Sequence, residues 1–348
     1  MSVGVPEIVA AIKEGNYEVG SLGDPSGFVH GPPFNEPRAS PGGSSATFRH
    51  VSSDGENKAI RIPHSIMPGE ETLSRLERMS DRVEELRRID PSVRIAPFEI
   101  HREAVHFNSI SAPAILMPWI EGVSLHTCAR EAAMRGDKGT LRGLARRVEK
   151  LGVDLKKSGF DHGDVSGSNI IVTKDGDLWL IDPDTLRHYL EEDDDFYLRE
   201  KGHESYAHPC RSGNKWEDDL FRFPLEVLIV SLRGLSMDPD LASRFGNDDN
   251  NLLFKREDFI DPDSSSLFGE LRKLLGKRAD RLAVACTRKS VRAANAIIGK
   301  LSGSREVPRG GVVLPESPLK MVAADIRAIR LGAKKLPMKI PGIMGGDS

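Results

Sequence analysis

Cysteine is scarce. Cys128, Cys210 and Cys286 are the only three in 348 residues. They lie far apart and share no metal-ligand spacing, so neither a disulfide framework nor a cysteine zinc site has support, and reduced thiols are expected. No apolar run approaches the roughly 20 residues that a membrane-spanning helix needs. The N-terminus also lacks the charged-then-apolar pattern of a secretory leader. Excess charge of one sign is missing as well: 49 Lys and Arg against 52 Asp and Glu leave a formal net charge of −3. That balance gives no electrostatic case for a nucleic-acid partner. A soluble, cytoplasmic protein is the expectation.

What the chain does have is one unusual stretch, residues 162–184. A polar loop, H-G-D-V-S-G-S-N, leads into an apolar run at 170–173, a K-D-G-D turn, and a second apolar run at 178–181 that ends at Asp182. A D-G turn between two apolar runs is a strong local signal for a β-hairpin. Such a hairpin would carry Asp164 and Asn169 at its entry and Asp182 at its exit, and so bring the three side chains toward one point. Phosphoryl transfer needs that set. Mg²⁺ takes hard oxygen ligands from one or two side chains and from phosphates, and a separate carboxylate must orient and deprotonate the attacking hydroxyl. Asn169 and Asp182 suit the first task, Asp164 the second. The plainer alternative is a surface hairpin with ordinary turn residues.

H-G-D-V-S-G-S-N followed by L-I-D resembles the catalytic loop and metal-binding Asp of the protein-kinase-like superfamily. The 13-residue step from Asn169 to Asp182 matches that family's usual step. Small-molecule phosphotransferases share the loop. A later segment, G-H-E-S-Y-A-H-P at 202–209, resembles the form found in a bacterial serine/threonine kinase-like group. The resemblance runs over about 40–275. It implies an α+β, two-lobed protein-kinase-like fold, with a small antiparallel sheet lobe and a mainly helical large lobe. The expected division is an extended arm over 1–38, a small lobe over 39–120, a large lobe over 121–300 and a basic tail over 301–348.

The resemblance implies ATP and Mg²⁺ as cofactors and a protein as substrate. Gly42, Gly43, Ser44 and Ser45, small residues ahead of a strand, match the phosphate-covering loop, since such residues let backbone N–H groups approach phosphate. Where the family writes a V-A-I-K-like strand, this chain writes K-A-I-R-I. The phosphate-contacting position is therefore Arg61, while Lys58, at an odd offset, faces the other side of the sheet. Arg keeps the charge but differs from Lys in reach and geometry. Arg61 is thus a phosphate clamp, the mark of a weak or inactive site, or an ordinary exposed strand residue. Apolar spacing predicts a helix over 70–88. The resemblance makes Glu77, or secondarily Glu84, the acid that pairs with Arg61; both are also readable as solvated helix-face acids.

A-I-L-M-P-W-I-E-G at 114–122 resembles the hinge that binds adenine, with Met117 behind the ring, the Pro118 carbonyl accepting and the Ile120 N–H donating. A buried strand and turn fits the same letters. Gly163 stands where many regulated kinases carry Arg. The family's Asp that braces the catalytic loop from a buried helix is displaced here: Asp219 is the nearest and Phe221 takes its aligned place. The acidic run at 191–195 is a solvated face or a selector of basic substrates. A helix is expected over 277–298, and the tail beyond is a solvated extension or a site for a partner.

Overall fold

The computed structural model describes residues 3–17, 27–31, 36–41, 45–64, 67–107, 110–189, 202–211, 216–246 and 251–299. The chain enters through α1 (Val5–Lys13), β1 (His30–Gly31), β2 (Glu36–Pro37), β3 (Ala39–Pro41), β4 (Ser45–Val51) and β5 (Asn57–Pro63). It continues with α2 (Glu70–Ile89), β6 (Glu99–Phe107), β7 (Ile110–Pro118), β8 (Gly122–Ser124), α3 (Leu125–Met134) and α4 (Lys138–Ser158). Four short strands follow: β9 (Phe160–His162), β10 (Ile170–Thr173), β11 (Leu178–Leu180) and β12 (Leu186–His188). The rest is helical: α5 (Arg222–Met237), α6 (Leu241–Phe245), α7 (Arg256–Ile260), α8 (Ser266–Leu275), α9 (Lys277–Cys286) and α10 (Val291–Ile298). The class is α+β, an N-terminal antiparallel sheet region followed by a mainly helical part.

The main sheet has five strands in the order β3-β4-β5-β7-β6, all neighbours antiparallel. Its central strand β5 alternates as a pleated strand must. Ile60 and Ile62 join a cluster on one face with Ile8 and Ile12 of α1 and with Phe28 and Phe48. Ala59, on the opposite face, packs with Leu76, Met79 and Met117. Arg61 shares the parity of Ala59, and Lys58 does not; Lys58 pairs instead with Glu56 at 2.9 Å. Within the segment expected as an extended arm, α1 is helical and covers the outer face of the sheet.

The helical part is built on α5, whose residues 223–232 are all buried. An apolar surface all round is what a central helix needs. α4 lies along it. The Asp137 side chain accepts the Thr140 N–H at 2.9 Å, and α4 ends where Gly159 takes a left-handed φ of 76°. A left-handed glycine is a common helix stop. The helix expected over 277–298 is two. α9 stops at Cys286, and α10 restarts after Ser290, whose hydroxyl accepts the Ala293 N–H at 3.2 Å. A serine cap starts a new helix here inside a stretch that otherwise reads as continuous.

Among the described residues no helix is long and apolar enough to cross a membrane. Cys128, Cys210 and Cys286 are free thiols, and burial pushes Cys128 and Cys286 up to about 12. The acidic run at 191–195 and the tail at 301–348 lie outside the described residues.

Candidate active site

The loop at 162–169 is positioned from both ends by hydrogen bonds. β9 pairs antiparallel with β12, with His162 opposite Leu186. The buried His162 ring accepts the Asp164 N–H through Nδ1 at 3.1 Å. Nε2 therefore carries the proton and donates to the Asp182 carbonyl at 2.8 Å. Burial holds this imidazole below its ordinary pKa, so it works as a neutral connector. One side chain thus ties the start of the loop to the residue that leaves the hairpin.

The hairpin forms as expected. Ile170 pairs with Leu180, Ile171 with Trp179 and Val172 with Leu178, around a turn in which Gly176 has φ 80°. The Ile181 N–H donates to the Asn169 carbonyl at 2.9 Å, so Asn169 and Asp182 leave the same end. The Asn169 side-chain amide donates to the Asp164 carbonyl at 2.8 Å and to Asp164 Oδ2 at 3.0 Å. Its Oδ1 is the polar atom left over. The other Asp164 oxygen accepts the His203 N–H at 2.9 Å. Asp182 sits at φ 69°, ψ 82°, in the left-handed region that costs a non-glycine residue energy and tends to persist at functional sites.

Arg61 reaches this point from β5. Its Nη1 meets Asp182 Oδ1, its Nη2 lies 3.0 Å from Asp184 Oδ2, and its Nε donates to the Ser45 hydroxyl. The side chain is only 10% exposed, which rules out an ordinary exposed strand residue. Ser45 opens β4 with its hydroxyl engaged by Arg61; Gly42, Gly43 and Ser44 lie outside the described residues.

Glu77 does not pair with Arg61. It takes Arg102 of β6, with contacts of 2.7 and 2.6 Å, and that guanidinium holds its carboxyl below the usual range. Glu84 lies 3.2 Å from Arg88. The turn of α2 directs Glu77 to the β6 side, where a cation from a distant stretch of sequence meets it. Facing the site instead is Arg75, buried, which donates to the Leu186 carbonyl and the Asp184 carbonyl at 2.7 Å each. α2 therefore holds the 182–186 turn with a cation, not an acid. Arg75→Ala removes both donors from buried carbonyls and should lower stability by about 2–3 kcal/mol, read as a shift of the urea midpoint at unchanged m.

Met117 is buried opposite Ala59 in the sheet, and Pro118, at the end of β7, is exposed. The Trp119 N–H bonds the Asn57 carbonyl at 2.9 Å. Strand alternation then turns the Pro118 carbonyl away from β5.

The 202–211 segment packs against the loop. Gly202, at φ 75°, has no room for a side chain: a Cβ there would lie 2.9 Å from the Gly163 carbonyl and 3.2 Å from Asp164 Oδ1. Arg211 donates to that same Gly163 carbonyl. A cation from beyond the H-P dipeptide thus stands beside Gly163. His208 is buried; its Nδ1 accepts the Cys210 N–H at 3.2 Å, and Nε2 bonds the Ala285 carbonyl at 3.1 Å. Burial holds its pKa below 6.5, so it stays neutral in the fold. As pH falls below about 6.5, unfolded chains take up a proton that folded His208 refuses. Stability is therefore full above that pH and declines below it, by up to about 1.4 kcal/mol per pH unit. Urea midpoints between pH 7 and pH 5 should show the decline, with a shallower slope in His208→Asn.

Three residues that hold this region together lie outside the sequence motifs. Arg75 is an Arg on the buried flank of an amphipathic helix. Arg211 follows the H-P dipeptide by two. Asp161 is an acid inside a short strand that is otherwise buried, and burial lifts its carboxyl to about 7 against three N–H donors that pull it down. Asp219, the sequence choice for bracing the loop, instead meets Lys156 at 2.8 Å and the Tyr189 hydroxyl at 2.5 Å.

The donor set is of the kind Mg²⁺ takes: one carboxylate, Asp182, and one amide oxygen, Asn169, both hard, with phosphate oxygens as its usual further ligands. Among the described residues no group of three His, Cys, Asp or Glu side chains is placed to hold a metal by itself. No protein-family model matches the chain, and no curated protein matches it.

Proposed function

We propose that the chain is a two-lobed, protein-kinase-like phosphotransferase. ATP and Mg²⁺ would lie between the sheet region and the helical part, and the γ-phosphoryl group would pass to a Ser or Thr hydroxyl of a protein in the cytoplasm. What supports this is one constellation: Asp164 bonded to Asn169, and both tied through His162 and the hairpin to Asp182.

Each residue then has a task. Asp164 orients the acceptor hydroxyl and takes its proton as the oxygen bonds to the γ-phosphorus and the bond to ADP breaks. Asn169 fixes the Asp164 carboxylate with its N–H₂ and keeps its oxygen for the metal beside Asp182. Arg61, already at the Asp182 carboxylate, neutralises phosphate charge. Met117, Pro118 and Ile120 receive the adenine. Bound Mg²⁺ would supply charge neutralisation at the transferring phosphates. The 202–211 segment forms turns on the loop, as a peptide-docking element would, and not the helical insert expected of a small-molecule phosphotransferase.

Incubation with γ-labelled ATP, Mg²⁺ and a protein mixture tests this. Wild type should transfer label to protein, and Asp164→Ala should not. Absence of any Asp164-dependent label sinks the kinase proposal. A second reading, a nucleotide-binding pseudokinase, is favoured by one observation: Arg61 is already bonded to the carboxylate that the metal needs. Stabilisation by ATP without label would support it.

A further inference from the structure

Asp161 is 1% exposed, yet its carboxylate has three backbone N–H partners. Oδ2 accepts from Leu220 at 2.9 Å, and Oδ1 accepts from Phe221 at 3.0 Å and from His162 at 2.8 Å. Leu220 and Phe221 stand at the entry of α5, where N–H groups have no partner inside the helix and where a negative charge is favoured. α5 is the most thoroughly buried helix among those described, so its first turn is a fixed point of the molecule. From Asp161 the connection passes to the next residue: the His162 N–H is held by the carboxylate, and the His162 ring holds the Asp164 N–H and the Asp182 carbonyl.

We propose that Asp161 is a positioning residue of the site, a buried carboxylate that locks the catalytic loop to the start of α5 and through His162 sets where Asp164 and Asp182 stand. The acid comes from the loop, not from the helix. The helix position opposite it is Phe221, fully buried among apolar groups, so no second carboxylate competes for these donors. Asp219 cannot serve: its side chain is turned to Lys156 and Tyr189.

The kinetic half of this proposal rests on the phosphotransferase reading; the structural half does not. Asp161→Asn keeps the shape and one acceptor but sets an N–H₂ against a backbone donor. In it, the Leu220, Phe221 and Asp164 amides should exchange hydrogen at least tenfold faster than in wild type, with the interiors of α4 and α5 unchanged. kcat should fall at least tenfold, with KM for ATP within twofold. Asp161→Ala should extend both effects; if it does not fold, Asp161→Asn decides. Unchanged exchange overturns the lock whatever the activity. Faster exchange with kcat within twofold of wild type overturns the positioning role. If wild type transfers no phosphoryl group at all, the phosphotransferase reading fails, and exchange alone decides whether Asp161 is the lock.

Discussion

Asp164→Asn should slow phosphoryl transfer by about 10²–10⁴-fold, the range for losing a positioned general base, with little change in ATP affinity. The expectation follows from where the two Asp164 oxygens point. Oδ2 is fixed by the Asn169 amide and Oδ1 by the His203 N–H, so the carboxylate is held without any cation bonded to it among the described residues. An amide at this position keeps the volume but cannot take a proton, and its N–H₂ would face one of the two existing donors. Single-turnover kinetics with γ-labelled ATP separates the chemical step from binding. A variant within threefold of wild type in that step would remove Asp164 from the chemistry.

Asp182→Asn should abolish the Mg²⁺-dependent part of stabilisation by ATP. A ligand at 100 times its Kd stabilises a protein by about 2.7 kcal/mol, a shift that melting curves with and without Mg²⁺ resolve readily. Asn is the cleaner substitution because Asp182 sits at φ 69°, a conformation Asn tolerates better than Ala does. Ala would add backbone strain to the loss of the ligand and blur the result. Arg61 retains Asp184 at 3.0 Å in the variant, so the unliganded protein should lose little stability. An undiminished Mg²⁺-dependent shift would take Asp182 out of the metal site.

Local geometry was legible in the sequence and long-range partnership was not. The hairpin follows from a D-G turn between two apolar runs, and its strand ends had to bring Asn169 and Asp182 to one place. The side of β5 that Arg61 faces follows from period two alone. The partner of Arg61 does not: helical spacing offers Glu77 and Glu84 to several neighbours, and which neighbour arrives depends on β6, whose Arg102 takes Glu77. Asp161 lies just outside the loop motif, which begins at the histidine after it. The signal was nonetheless present, an acid in a strand with no exposed face. The break between α9 and α10 turns on a single Ser290 cap in a run of Arg, Lys and Ser that carries no Gly or Pro to announce it.

α1 has a practical consequence for anyone who trims this protein. Ile8, Ala11 and Ile12 seal the outer side of the five-stranded sheet against Phe48, Ile60 and Ile62. A shortened form starting near β4 would leave that greasy surface wet, and wet apolar surface on a sheet invites self-association. Poor yield from such a truncation would speak of a missing cover, and would say nothing about the chemistry proposed for the sheet's other side.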